Sequence, residues 1–331
     1  MVRSTAGGMI SGRRRALTAL GAALALGAAA PAPAQEAYPS RPIRLVVPFG
    51  PGGLADITMR AVGKKLGDRL GQPIVVENKP GAGGVVAATA VLNAAPDGYT
   101  LIVFSNGTTI GKSLIKLPYD LDRDFVPISS VAYFDLILLA RPDGPVSSVQ
   151  TLLAEGRKRQ LTFATITPGS TQNLSAELFK SSAGVDAVVV PYKTSPDVLG
   201  AVVRGEVDVG FESYAALKGP VDSGLVKVIA STGQARSPSL PSVPTVTEAG
   251  VAGYEVSGWN ALYARAGTPP SAIARINEHL AAVLAMPDIQ RQLRSLGTEG
   301  KHLSPAGMDA LFKRDTEKWA NVIRKAGIKA Q

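Results

Sequence analysis

The sequence predicts an α/β protein made of two domains, each with a doubly wound sheet. Short apolar runs alternate with amphipathic helical stretches along most of the chain, and this alternation is typical of strands in a sheet that helices cover on both faces. The alternation restarts after a turn at residues 141–144. The length of 331 residues also exceeds what one hydrophobic core usually supports. We therefore expect two α/β domains, each with its own parallel sheet.

The first 34 residues have the pattern of a cleaved secretory signal peptide. Arg3 and Arg13-Arg14-Arg15 precede an alanine-rich apolar run over residues 16–30, and Ala32-Pro33-Ala34 offers the small residues that signal peptidases prefer. The run is too short for a permanent membrane span. We expect a signal peptide over residues 1–34 and export to the periplasm, by either the general secretory or the twin-arginine route.

The rest of the chain is mildly basic and lacks the residues of several common types of site. The full sequence has 35 basic and 26 acidic residues, and removal of the signal peptide with its four arginines lowers the net charge to about +5. Because no cysteine is present, disulfides and thiolate metal sites are excluded. His279 and His302 are too few for a histidine-rich metal site. We expect no nucleic-acid partner, no metal, no cofactor and no enzymatic activity.

An anion site is predicted where the first strand of the mature chain turns into its first helix. Residues 43–47 form an apolar strand, Phe49-Gly50-Pro51-Gly52-Gly53 breaks it, and residues 54–70 form an amphipathic helix. Glycines let the backbone approach a ligand closely, and the free N–H groups of the first helical turn point toward it. This turn therefore fits a carboxylate-sized anion.

Two other interpretations of this turn are open. Residues 50–55 fit the G-x-G-x-x-A pattern of dinucleotide sites, and Glu77 stands where a ribose-binding acid would stand. Pro51, however, removes one N–H group from the turn. The glycines could also serve only to make a tight turn. We favour the carboxylate-sized anion over both.

Further strands and helices follow in alternation. The predicted strands after the first are residues 74–77, 100–104, 136–140, 161–164, 187–190, 207–211 and 226–230. The predicted helices after the first are residues 85–94, 149–157, 171–181, 195–203, 268–286, 288–296 and 304–326. Residues 238–253 form a predicted connector, and residues 254–263 an extended segment that returns to the first domain. Domain 1 would then comprise residues 35–140 and 255–331, and domain 2 residues 141–254.

A second candidate anion site lies in the predicted second domain. Residues 165–173 contain Pro-Gly followed by the start of a helix, as in the first turn. Ser170 or Thr171 could simply cap that helix, but two such helix starts would face each other across a cleft. Residues 105–109 add hydroxyl, amide and N–H donors at the end of a strand, and ligands of such sheets bind beyond the carboxyl ends of the strands.

Several longer motifs resemble those of one known family along the whole predicted mature chain. They are, in order, Tyr38-Pro-Ser-Arg-Pro-Ile-Arg-Leu-Val-Val-Pro-Phe, Val75-Val-Glu-Asn-Lys-Pro-Gly-Ala-Gly-Gly, Ala95-Pro-Asp-Gly-Tyr-Thr, Val190-Pro-Tyr-Lys, Leu240-Pro-Ser-Val-Pro-Thr-Val-Thr-Glu-Ala-Gly and Gly253-Tyr-Glu-Val. The sequence thus resembles the substrate-binding receptors of tripartite tricarboxylate transporters, also called Bug-type receptors.

The resemblance implies a periplasmic-binding-protein-like fold of type II, in which two domains close about a hinge on a small organic carboxylate. It also implies a monomeric periplasmic receptor, without enzymatic activity, that delivers its ligand to membrane transporter subunits. Two alternatives stay open, namely a receptor that signals to a membrane protein and an enzyme that uses a nucleotide. The resemblance does not indicate which carboxylate is bound.

Carried onto this chain, the resemblance places ligand contacts on the two facing turns and on further segments around them. The candidate ligand-binding residues of the first turn are Phe49, Gly50, Gly52, Gly53, Ala55 and Asp56. Those of the second turn are Thr167, Gly169, Ser170, Thr171 and Asn173. The candidates that would line the rest of the pocket and set its specificity are Ser105, Gly107, Thr108, Thr109, Tyr192, Lys193, Ser195, Glu212 and Ser213.

Overall fold

The computed structural model of the protein describes residues 1–2, 38–114 and 116–326. The predicted signal peptide, residues 1–34, lies outside the described residues apart from its first two positions. From Pro39 onward the chain packs as one unit, to which all the elements below belong.

The described ranges form ten strands. These are β1 Ile43–Val47, β2 Ile74–Asn78, β3 Thr100–Ser105, β4 Phe125–Ala140, β5 Leu161–Ile166, β6 Ala187–Tyr192, β7 Val209–Ser213, β8 Lys227–Ser231, β9 Ser257–Arg265 and β10 Thr298–Gly300.

The same ranges form eleven α-helices and a short 3₁₀ turn at Ala82–Gly84. The helices are α1 Leu54–Leu70, α2 Val85–Leu92, α3 Asn106–Leu114, α4 Leu121–Asp124, α5 Val149–Gly156, α6 Thr171–Ala183, α7 Ser195–Arg204, α8 Tyr214–Asp222, α9 Pro270–Leu284, α10 Pro287–Ser295 and α11 Pro305–Ala326. Among the described residues, no helix combines the length and the apolar character needed to cross a membrane.

The strands pair in the order β2-β1-β3-β9-β4-β7-β5-β6, and β8 and β10 pair with β4 outside this path. The outer groups, β2-β1-β3 and β7-β5-β6, are parallel as predicted. The prediction of parallel pairing is wrong for the centre, where β9 runs antiparallel to both β3 and β4 and where β4 runs antiparallel to β7. Local periodicity predicts that a strand exists, but it carries no information on the direction of a partner far away in sequence.

The long strand β4 connects the two parallel groups. It is predicted over residues 136–140 and extends over Phe125–Ala140. Its first part pairs with β9, and its last part pairs with β7 and β8. The register of the β4–β9 pair shifts between Pro127 and Ser129, and proline, which has no N–H group to donate, is tolerated in a strand at such irregularities.

Most other predicted elements are confirmed. Strand β1 and helix α1 have the predicted bounds. Helices α3, α4 and α8 and strand β10 are missed. The sequence that opens α3, Asn106-Gly-Thr-Thr, has low helix propensity. The helix nevertheless forms there because it packs against α11, which is distant in sequence.

Aromatic side chains pack in the part of the core that surrounds β5, α6 and β7. The Phe163 and Phe211 rings each lie within 6 Å of the Phe179 ring, which also meets Tyr254 edge to face at 5.8 Å. Trp319 of α11 joins the same cluster and is 1% exposed. Helix α11 is thereby anchored against the elements that carry the second predicted turn.

Thr232 hydrogen-bonds to both β4 and the residue that directly precedes β9, and these two segments lie between the parallel groups of strands. Its backbone and hydroxyl each hydrogen-bond Leu136 of β4, with the Leu136 N–H group donating to the hydroxyl at 2.8 Å. The same hydroxyl donates to the Val256 carbonyl at 2.6 Å, and the Val256 N–H group donates to the Thr232 carbonyl. Because Thr232 is fully buried, water cannot replace these bonds.

We expect Thr232→Val to lower the free energy of unfolding by about 2–4 kcal/mol, because the Leu136 N–H group and the Val256 carbonyl each lose a buried partner while the side-chain shape is kept. Urea denaturation of the purified protein measures this change.

Thr316→Val is the matched control. The Thr316 hydroxyl donates to the carbonyl of Phe312 within helix α11, and its loss should change the unfolding free energy by about 0.5 kcal/mol or less. Equal effects of the two substitutions would contradict the role given to Thr232.

Candidate functional site

A pocket lies where four helices begin. Its lining includes the first residues of α1 (Leu54 and Ala55), of α6 (Thr171 and Gln172) and of α7 (Ser195). Ser105, which directly precedes α3, lines it as well. The pocket and the open solvent at its mouth together comprise about 430 Å³ that no protein atom occupies.

The helix ends give this pocket an electropositive character. The first N–H groups of an α-helix have no acceptor within the helix, and the helix dipole places partial positive charge at the same end. Helix α1 is preceded by Gly53, which offers no side chain to cap these groups, whereas Ser170 caps α6 and Thr194 caps α7. The exposed Lys193 is the one lysine or arginine among the described lining residues. Anion recognition here therefore depends on neutral N–H and hydroxyl donors.

The first predicted turn is held in place from behind by Asp56. Its carboxylate accepts from the Gly52 N–H group at 3.0 Å and from Arg60 Nε at 2.9 Å. Burial acts to raise the pKa of Asp56, but the hydrogen bonds from Arg60 and Gly52 outweigh it and hold the pKa below its ordinary value. Asn78 adds a bond from its amide to the Phe49 carbonyl at 3.0 Å. Asp56 thus shapes the turn and does not line the pocket.

This turn packs closely against residues 193–196. A Cβ atom at Gly50 would lie 2.7 Å from Thr194 Cγ2 and 2.9 Å from the Lys193 carbonyl oxygen, so only glycine fits there. Gly52 has a φ of 77°, a left-handed backbone conformation that glycine adopts more readily than residues with a side chain. We call the approach of residues 50–53 to residues 193–196 the first contact.

A second contact joins residues 106–107 to residues 169–171. The Thr171 hydroxyl donates to Asn106 Oδ1 at 2.6 Å, and the Asn106 amide donates to the Ser257 carbonyl at 3.3 Å. A Cβ atom at Gly107 would lie 2.3 Å from the Gly169 carbonyl oxygen. The Thr171 hydroxyl is therefore engaged by protein, which leaves the backbone of α6 and other side chains to face a ligand.

Three buried polar atoms on the pocket lining have no hydrogen-bond partner among the described residues. They are Ser105 Oγ, Ser195 Oγ and Asn260 Nδ2, and each side chain is 2% exposed. Ser105 and Asn260 are paired across strands β3 and β9. Since buried polar groups are nearly always hydrogen-bonded, these three donors are suited to a polar ligand.

The structure brings nine of the predicted residues together on the pocket lining. These are Phe49, Gly50, Gly53, Ala55, Ser105, Thr167, Thr171, Lys193 and Ser195. Thr108 and Gly169 line a smaller adjoining pocket that shares Phe49, Ser105 and Thr167. The two turns predicted to face each other do so.

The other predicted residues lie behind the lining. Five of them have not been described so far. The Thr109 hydroxyl donates to the Asn106 carbonyl, and the Asn173 amide donates to Thr165 Oγ1. Tyr192 packs against an apolar cluster, Ser213 caps α8, and Glu212 is fully buried. Their contacts with a ligand stay predictions.

Sequence reasoning missed six lining residues. These are Leu54, Phe134, Ile166, Gln172, Thr194 and Asn260. Gln172 and Thr194 directly adjoin predicted residues. Asn260 stands as an amide within the otherwise apolar strand β9, which was the available signal. The Gln172 amide donates to Glu212 Oε1 at 2.8 Å, so it couples the lining to a carboxyl group behind it.

Comparison with known proteins shows what this fold and site are similar to. Residues 58–328 match the family described as tripartite tricarboxylate transporter family receptor. The solved structure of the periplasmic binding protein BugD is 32% identical, with a TM-score of 0.84 over 89% of this chain and 100% of BugD. This likeness confirms the predicted periplasmic-binding-protein-like fold.

Two further solved structures contain ligands. Rpa4515 of R. palustris, solved with adipate, is 34% identical, with a TM-score of 0.84 over 88% of this chain and 99% of Rpa4515. MatC from Rhodopseudomonas palustris, with bound malate, is 33% identical, with a TM-score of 0.82 over 86% of this chain and 100% of MatC. The resemblance predicted from the sequence motifs is confirmed, and the chain belongs to the tripartite tricarboxylate transporter receptor family.

Proposed function

We propose that this protein is an exported solute-binding receptor that captures a small carboxylate between two domains and delivers it to a tripartite tricarboxylate-type membrane transporter. The observation that carries the proposal is the meeting of four helix starts on one pocket whose lining also holds three unpartnered polar atoms. A carboxylate accepts hydrogen bonds at both oxygens and carries the charge that helix N-termini favour.

The donors of the pocket are strong enough in sum to hold such a ligand. A hydrogen bond to a charged group contributes about 1.5–3 kcal/mol. Ser105 Oγ, Ser195 Oγ and Asn260 Nδ2 could each donate one bond, in addition to the N–H groups at the starts of α1 and α6. Phe49, Phe134 and Ile166 supply apolar surface for the carbon chain of the ligand.

The relatives support both the ligand class and the location. Rpa4515 was solved with adipate and MatC with malate, and both ligands are dicarboxylates. BugD is a periplasmic binding protein. These findings fit the export signal predicted over residues 1–34 of this chain, and they favour a dicarboxylate over a nucleotide.

Receptor function also fits the chemical groups of the pocket. The described residues that line it include no histidine, cysteine, aspartate or glutamate, and its one lysine, Lys193, is exposed. The hydroxyls and amides that are present bind a ligand and leave it unchanged.

The proposed domains, residues 35–140 with 255–331 and residues 141–254, place the pocket at their boundary. Each of the two contacts described above joins one proposed domain to the other. The proposed boundaries between the domains lie near Arg141 and Tyr254, and the pairing of β4 passes from β9 to β7 at residues 135–136, shortly before the first of them. In this arrangement the structure corresponds to the closed form, and opening would separate both contacts about these boundaries.

We expect adipate or malate to raise the melting temperature of the purified mature protein, because a ligand that binds only the folded state stabilises it by mass action, by about 2.7 kcal/mol at a hundredfold excess over Kd. ATP and NAD are the comparison ligands and should leave the melting temperature unchanged. A nucleotide shift larger than that of every carboxylate in the panel would reject the proposal.

We expect Gly107→Ala to weaken carboxylate binding about five- to a hundredfold, because the added methyl group overlaps the Gly169 carbonyl and holds the second contact open at a cost of about 1–3 kcal/mol. Calorimetry gives the affinity, and solution scattering with saturating ligand should show less compaction than in the unmodified protein.

Gly219→Ala is the matched control. Gly219 also lies in a helix, and a Cβ atom there meets nothing within 4 Å. This variant should bind and compact as the unmodified protein does. Unchanged binding by Gly107→Ala would show that the second contact is not part of the binding-competent form.

A further inference from the structure

Glu212 is a buried carboxyl group directly behind the pocket. It lies on β7, is 0% exposed and does not line the pocket itself. Gln172 and Ser195, which do line the pocket, stand in front of it. A carboxyl group in this position could act as an anion that holds a ligand ammonium group, or as a neutral acid.

The hydrogen bonds of Glu212 favour the neutral acid. Oε1 accepts from the Gln172 amide at 2.8 Å and from the Ser213 N–H group at 2.7 Å, and both donors are uncharged. Oε2 has no hydrogen-bond partner among the described residues. The proton of a neutral acid would therefore sit on Oε2, since both donors already occupy Oε1.

Among the described residues, no cation lies beside Glu212 to stabilise its charge. The ionisable groups on the elements packed around it have other partners. Asp135 is hydrogen-bonded to Ser257, Asp197 to Thr194 and Tyr214 to Asp222. Ion pairs join Glu177 to Lys180, Arg204 to Glu206 and Lys218 to Asp222. Lys193 is exposed. Burial raises the pKa of Glu212 and outweighs the opposing effect of the hydrogen-bonding groups of Gln172, Ser195 and Ser213.

We propose, building on the carboxylate-receptor function above, that Glu212 is a positioning residue that turns the Ser195 hydroxyl into a donor toward the ligand. In this proposal, protonated Oε2 donates to Ser195 Oγ, which is also a buried oxygen without a partner among the described residues and belongs to a hydroxyl that acts on the Glu212 carboxyl. Ser195 then donates its own proton into the pocket. Ionised Oε2 would instead accept the Ser195 proton and leave only oxygen lone pairs facing the ligand. The neutral acid thus selects ligand groups that accept hydrogen bonds, such as carboxylate oxygens, over groups that donate them, such as ammonium.

The direction of the pH effect follows from the raised pKa. Glu212 stays protonated above 4.5, the ordinary value for glutamate, and ionises only as pH rises through its folded-state pKa. Carboxylate affinity should fall as pH rises through this folded-state pKa. Because the pKa is higher in the folded state, the free energy of unfolding should also decrease as pH rises above 4.5. This decrease is measured relative to Glu212→Gln, whose amide does not ionise.

Glu212→Gln is the variant that tests the proposal. Its amide oxygen can accept from Gln172 and Ser213, while its NH₂ group replaces the protonated Oε2 and donates permanently to Ser195. We expect the affinity of this variant for adipate and malate to match that of the unmodified protein within about threefold near pH 6. Ser195→Ala should lower the affinity of either protein about tenfold or more.

Infrared spectroscopy of the protein without ligand provides the first readout. The unmodified protein should show the carbonyl stretch of a protonated carboxylic acid above pH 4.5, where an ordinary glutamate is ionised, and Glu212→Gln should lack it. Glu177→Gln, a change to a surface ion pair on the nearby helix α6, is the control and should keep the band. Absence of the band from the unmodified protein overturns the proposal.

Calorimetry from pH 4.5 upward, across the pH at which the infrared band disappears, provides the second readout. Ligand ionisation affects both proteins equally, so it cancels when the affinity of the unmodified protein is divided by that of Glu212→Gln. This ratio should fall about tenfold across the pH at which the infrared band disappears and stay constant while the band persists. Loss of the band without a change in the ratio overturns the proposal.

Malate and aspartate are a matched pair of probes, because they differ only in a hydroxyl and an ammonium group. We expect malate to bind at least about tenfold more tightly. Tighter binding of aspartate, lost in Glu212→Gln, would show that Glu212 is an anion that holds the ammonium group, and would overturn the proposal. Failure of every carboxylate to bind would instead reject the receptor function, while the infrared readout, which needs no ligand, still decides the state of Glu212.

Discussion

The pocket depends on two close approaches at which the glycine leaves no room for a side chain of its own. At Gly50 and Gly107 a single methyl group would overlap atoms of the facing segment. These approaches bring the starts of α1 and α3 to within reach of the starts of α6 and α7, which are distant in sequence. Once the helix starts are together, their N–H groups and dipoles point at the same volume, so the anion site follows from the glycine contacts rather than from charged side chains.

The unpartnered donors in the pocket link ligand binding to closure. In the proposed closed form without ligand, Ser105 and Asn260 bury polar atoms that have no hydrogen-bond partner among the described residues, and each such atom costs about 1–3 kcal/mol. Opening would expose these atoms to water, whereas a carboxylate would satisfy them without opening. The ligand therefore stabilises the closed form by the same hydrogen bonds that bind it, which is the differential affinity that a population shift requires. Neutral donors are well suited to this role, since no buried cation is left behind when the ligand leaves.

The sequence predicted the local features of this site better than its long-range ones. The strand, glycine turn and helix over residues 43–70 were predicted with the correct bounds, because glycines and apolar periodicity are local signals. The antiparallel strands in the centre of the sheet and the contribution of Asn260 were missed, because both depend on which distant strand lies alongside β9. The engagement of the Thr171 hydroxyl by Asn106 was equally invisible, since the two residues meet only in the folded chain.

A buried glutamate beside an anion site would weaken anion binding if it were charged. An ionised Glu212 would repel a ligand carboxylate through a medium of low dielectric, and its Oε2 would accept the Ser195 proton and so remove a donor from the pocket. The absence of a cation around it, within the described residues, removes the usual compensation for a buried charge. The protonated form resolves both difficulties, because it carries no charge and needs an acceptor at Oε2, which the Ser195 oxygen supplies. The same proton that makes the glutamate tolerable in the core then directs the Ser195 hydroxyl toward the ligand, so the burial of Glu212 and the preference of the pocket for anions have one physical origin.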